Sequence, residues 1–180
     1  MLQVKNLFVD LGGFRLTADF EIERGSLISI VGPSGAGKST LLNALAGFIS
    51  LTSGEIKWNG SDITKLDPGL RPLSILFQDY NLFSHLTVKD NIAIGLRPNL
   101  KLDDLETEMV NSVIEEVGLS KFKFIKPFQL SGGQRTRVSL ARSIVRSKPI
   151  LLLDEAFSGL GPALRSETVS YTHLRAHETV

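Results

Sequence analysis

A chain of 180 residues, 42% hydrophobic and 22% charged, suits one soluble globular domain with a sizeable core, or slightly less than one large α/β domain. Its formal net charge of +1 implies no polyanion partner, and the absence of cysteine removes disulfides and thiolate metal sites and fits a reducing compartment. No apolar run approaches a membrane span and no signal-peptide pattern opens the chain, so any work at a membrane would pass through a partner.

Residues 2–9 read as a strand of mixed burial, Gly12 and Gly13 as a turn, and 14–22 as a second strand with fair alternation. Glu23-Arg24-Gly25 turns the chain into Leu27-Ile28-Ser29-Ile30-Val31, an apolar run predicted to be a buried strand. The next stretch is Gly32-Pro33-Ser34-Gly35-Ala36-Gly37-Lys38-Ser39-Thr40, followed by an apolar segment, 41–46, that reads as helix. Residues 54–60 form another short alternating strand, with Ile56 and Trp58 on one face. Residues 73–77 are strand-like. From 102 the apolar residues Leu105, Met109, Val113, Ile114 and Val117 recur at helical spacing, and Gly118 is a natural stop. The region of about 82–130 is therefore expected to be a helical insertion between strands. Lys121, Lys123 and Lys126 interleave with Phe122, Phe124 and Phe128; so short a cluster reads as a surface loop or helix end rather than a nucleic-acid site.

The stretch 32–40 fits G-x-x-x-x-G-K-[S/T], a Walker A phosphate loop, and it has the strand before and helix after that the motif requires. Its glycines let successive N–H groups turn inward toward phosphate oxygens, and the helix N-terminus adds partial positive charge. Lys38 can reach the β- and γ-phosphates, and the Ser39 hydroxyl can ligate Mg²⁺. Downstream, 149–153 is an apolar strand that ends in Asp154 and Glu155, a Walker B pattern. Asp154 is expected to hold Mg²⁺, through water, and Glu155 to polarise the attacking water. Leu130-Ser131-Gly132-Gly133-Gln134 precedes an Arg-rich segment with helical periodicity, so Ser131 and the two glycines make a second anion site at a helix start.

On these motifs the chain resembles the ATP-binding cassette (ABC) family, whose signature is this LSGGQ. The order matches over about residues 2–167: Walker A, Gln78 at the Q-loop position, signature, Walker B, and a D-loop-like stretch at 158–161. The resemblance implies an α/β P-loop NTPase, an ABC-type nucleotide-binding domain with an antiparallel β subdomain, a RecA-like core and the helical insertion. It implies ATP and Mg²⁺ as cofactors and a head-to-tail dimer with a second ATP-binding subunit. Ser131, Gly132, Gly133 and Gln134 would then line the γ-phosphate held by the partner's Walker A loop. Gln78 would ligate Mg²⁺, sense the γ-phosphate and link the core to an insertion docked on transmembrane permease subunits. A solute-binding protein would join indirectly, and nucleic acid would not. The chain would sit peripherally on the cytoplasmic face of the bacterial inner membrane. Residues 76–88 and 91–102, with Gly47-Phe48 and Arg71-Pro72, are similar to the ATPases of bacterial thiamine importers. Importers of iron, sulfate, spermidine or molybdate share much of this pattern. ABC proteins acting on ribosomes or DNA usually carry tandem cassettes or a long coiled coil, and this chain has neither.

Some positions depart from the family. Leu11 stands where an adenine-stacking aromatic is usual, with Phe8 and Phe14 nearby; Ala156 replaces a proline; Gly161 replaces the D-loop aspartate. Between the D-loop and His173 there is too little chain for a helix and a strand, so His173 does not fit as the γ-phosphate switch. Residues 170–179 resemble read-through of adaptor sequence. The domain is expected over 1–168, incomplete at its C-terminus, with 169–180 non-native. If that short end were genuine, a non-hydrolysing nucleotide-binding module would be the alternative.

Overall fold

The computed structural model describes residues 1–77 and 81–154. They divide into two compact units that meet in sequence at Leu73 and Ser74. The expectations for Gln78, Glu155, Ala156, the D-loop stretch, His173 and the 169–180 tail lie outside the described residues.

The first unit is built on a four-stranded antiparallel sheet in the order β2-β1-β3-β4. The strands are β1 (Leu2–Asp10), β2 (Arg15–Ile22), β3 (Ser53–Trp58) and β4 (Ser61–Asp62). A strict period of two would carry Leu2 and Val4 to one face and Leu7 and Val9 to the other. All four are buried on one side, because a bulge between Val4 and Leu7 resets the alternation. Asn6, at φ 47°, makes that bend, and its N–H donates to Asp19 Oδ2 at 2.9 Å. Ile56 is fully buried and Trp58 half-buried, Trp58 pairing with Leu2 on one side and Ser61 on the other. Helix α1 (Lys38–Ala46) buries Leu41, Leu42, Ala44, Leu45 and Ala46.

The run 27–31 corrects the sequence expectation. It belongs to no described strand, and Leu27, Ile28, Ile30 and Val31 are 60%, 58%, 43% and 91% exposed. Apolar composition makes a strand favourable only where a neighbouring strand accepts its ladder, and no described strand pairs with this one.

From Ser74 onward the second unit holds all but the first residue of β5 (Leu73–Leu76), paired with β6 (Ile150–Leu153), and helices α2 (Val88–Ala93), α3 (Asp104–Glu116) and α4 (Gly132–Val145). Short 3₁₀ turns occupy Ser120–Phe122 and Pro127–Gln129. Asp103 caps α3 by accepting from the N–H of Glu106, whose carboxylate returns the bond to Asp103 N. Val110, Val113, Ile114 and Val117 pack into one core with Val88, Ile92, Val138, Ala141 and Val145. The buried stripe differs from the one read off the sequence, since Leu105 and Met109 are 76% and 42% exposed. Leu105 sits on the first turn of α3, well around the cylinder from the buried stripe, and Met109 lies at its edge, one turn before Val113.

Asn91 is the polar knot of this unit. It is fully buried, accepts from Phe83 N at 2.8 Å, and donates from Nδ2 to the carbonyls of Phe83, Leu86 and Thr87 at 3.0, 3.2 and 3.0 Å. Asn91→Ala strands those groups and is expected to lower stability by about 2–4 kcal/mol. The urea midpoint, at constant m-value, is the measurement.

Candidate functional site

In the first unit the nine residues 32–40 form one continuous loop and helix start. Gly35 and Gly37 take φ of 80° and 93°, which folds the loop back on itself, and Ala36 N donates to Pro33 O at 3.2 Å. Gly37 is doubly constrained, because a Cβ there would lie 3.3 Å from Phe14 Cε1 and closer still to Phe14 Cζ. Gly37 also occupies the N-cap of α1 and, as a glycine, makes no side-chain capping bond. The loop 32–36 is exposed.

The Lys38 ammonium folds back over this loop, donating to the carbonyls of Gly32 and Pro33 at 2.9 Å each. Two neutral backbone acceptors hold the charge against the loop. Ser39 is exposed in the first turn, and Asn43 Nδ2 donates to its carbonyl at 2.8 Å. Thr40 follows half-buried. Phe14, at the foot of β2, is half-buried and is the aromatic that touches the loop; Leu11 is 54% exposed.

In the second unit Ser131 is the N-cap of α4. Its Oγ accepts from Gln134 N at 3.3 Å and the Gln134 side chain accepts from Ser131 N at 2.8 Å, a reciprocal cap. Gly132 and Gly133 form the first turn. Asp154 follows β6 directly, and its N–H donates to Leu76 O at 3.0 Å, which extends the β5–β6 pairing to the carboxylate.

Arg142, on α4, was not singled out from the sequence. Its Nη1 donates to the carbonyl of Asn81 at 2.8 Å, the first described residue after the Q-loop position. Burial, and then the neighbouring Arg146, lower its pKa from the ordinary arginine value. The Arg-rich run after the signature was the available signal, but it does not say which arginine turns inward.

A glycine loop that opens a helix, a lysine poised over it, and a carboxylate at the end of an apolar strand define a P-loop nucleotide-binding domain. The family model described as ABC transporter matches residues 17–158, and the chain belongs to that family. It is 47% identical over 179 residues to a protein of Jannaschia sp. (strain CCS1) named "Thiamine import ATP-binding protein ThiQ", covering 99% of this chain and 78% of that one. A protein of the same name from Histophilus somni (strain 129Pt) is 52% identical over 170 residues, 94% of this chain and 79% of the relative. Among solved structures, a dimeric ATP-binding cassette in a post-hydrolysis state with ADP and Pi superposes with a TM-score of 0.83 at 27% identity, covering 99% of this chain and 84% of that one.

Proposed function

We propose that this chain is the ATP-binding subunit of an ABC importer and that it couples ATP hydrolysis to thiamine uptake. The observation that carries the reading is the intact phosphate loop, with Lys38 held over it by Gly32 and Pro33, in a chain about half identical to thiamine import ATP-binding proteins.

Residues 32–40 cradle the ATP phosphates, and Lys38 exchanges its two carbonyl acceptors for β- and γ-phosphate oxygens. Ser39, Gln78 and Asp154 are the residues that would hold Mg²⁺, which when bound neutralises phosphate charge in the transition state. Glu155 orients the attacking water. Ser131, Gly132, Gly133 and Gln134 close on the γ-phosphate of a second ATP-binding subunit, so ATP bridges two chains and hydrolysis removes the bridge. No helix among the described residues is long and apolar enough to cross a membrane. Motion therefore passes to transmembrane permease subunits, with this chain peripheral on the cytoplasmic side of the bacterial inner membrane. Phe14, in contact with Gly37, takes the adenine-stacking place that Leu11 cannot fill.

The test is growth of a thiamine auxotroph on limiting thiamine after deletion of the gene. Growth should fail and return with the intact gene but not with Lys38→Ala. A requirement that follows iron, sulfate, spermidine or molybdate instead would overturn the thiamine assignment and leave the ATPase reading standing.

A further inference from the structure

Arg71 stands before β5, outside every motif that binds nucleotide, yet it is only 3% exposed. A guanidinium at that depth ordinarily faces a carboxylate. No described ion pair includes Arg71. All of its hydrogen bonds go to neutral carbonyls: Nε to Leu66 at 3.0 Å, Nη1 to Ala44 at 3.0 Å and Leu45 at 2.6 Å, Nη2 to Thr64 at 2.7 Å.

These carbonyls come from two places. Ala44 and Leu45 are in the last turn of α1, where carbonyls lack the i+4 helical donor and the helix dipole is negative; Ala44 O also accepts from Gly47 N at 3.2 Å. Thr64 and Leu66 lie on the turn after β4, and Thr64 is itself fixed to the sheet, its Oγ1 accepting from Ile56 N at 2.8 Å. Arg71 is thus a bracket between the sheet and the trailing end of α1. The next residue after the helix makes room for it. Gly47 is left-handed, φ 88°, and a Cβ there would stand 2.6 Å from Arg71 Nε and 2.9 Å from Cζ.

We infer that Arg71 is a positioning residue for bound nucleotide: by pinning the C-terminal end of α1 to the sheet, it sets where Lys38 and Ser39, at the other end, face the phosphates. The helix is nine residues long, about 13 Å, so a small tilt at the pinned end displaces the loop by a comparable arc. Displacements of that order far from the chemistry change binding and rate strongly. The inference rests on the reading of 32–40 as the ATP site.

The experiment measures Mg²⁺-ATP affinity with a fluorescent ATP analogue, alongside thermal melts, for wild type, Arg71→Met, Arg71→Lys, Gly47→Ala and Lys38→Ala. Arg71→Met keeps the aliphatic bulk and loses every donor; Kd should rise roughly tenfold at a temperature where the protein is fully folded. Arg71→Lys keeps the charge but cannot span both sets of carbonyls, and should fall between. Gly47→Ala pushes a methyl into the guanidinium and should raise Kd in the same direction; it carries the test if Arg71→Met does not fold. Melting temperatures that drop in the Arg71 and Gly47 variants while Kd stays at the wild-type value mean a structural bracket only, and overturn the inference. Wild-type affinity in Lys38→Ala would instead remove the phosphate-loop reading beneath it.

Discussion

Lys38→Ala should weaken ATP binding by about a hundredfold or more, a loss of about 2.7 kcal/mol. The residue's ammonium rests 2.9 Å from the carbonyls of Gly32 and Pro33, directly over the loop. In the bound state a full positive charge meets polyphosphate at close range, where removing one partner of a charge pair costs several kcal/mol. The two carbonyls it leaves sit on an exposed loop and return to water, so the fold should barely notice. A melting temperature within a few degrees of wild type is expected alongside the lost affinity. Isothermal titration with Mg²⁺-ATP measures the first and a thermal melt the second. Unchanged affinity would refute the phosphate-loop reading.

Glu155→Gln should do the reverse, abolishing turnover while ATP stays bound. The substitution preserves size and hydrogen-bonding reach and deletes only the negative charge that would draw a proton from the attacking water. General-base removal of this kind slows the chemical step by about 10² to 10⁴. Asp154, one residue earlier, keeps its backbone bond to Leu76, so the substitution should leave the end of β6 in place. ATP would then accumulate between two chains, and size-exclusion chromatography with ATP should shift toward dimer in the variant alone. Wild-type phosphate release by Glu155→Gln would sink the assignment.

The glycine-rich turn into α1 and the cap of α4 were legible because both are local. A glycine pattern, a lysine and an N-cap serine at fixed offsets specify their own backbone geometry within a few residues. Gly118 marked the end of α3 for the same reason. The failures are non-local. The run 27–31 has strand composition, but a strand needs a ladder partner, and composition does not name one. Leu105 and Met109 matched helical spacing without lying on the stripe that is buried, because spacing fixes a face only relative to what packs on it. Arg71 and Asn91 were visible only as parts of a likeness to thiamine importers. Arg71 makes four hydrogen bonds to carbonyls of two separate segments, which folding brings together, and Asn91 makes four to the irregular stretch 83–87 just before it, whose path no periodicity specifies.

The chain has one tryptophan, Trp58, and it lies in β3 of the first unit, paired to β1 and β4. Its emission spectrum therefore reports the melting of that sheet. Ellipticity at about 222 nm is weighted the other way, toward α3 and α4. Overlaying the two curves in one denaturant series reads the units separately. Coincident midpoints would mean that the units unfold as a single cooperative body, and a gap between them would measure how far one can come apart while the other holds.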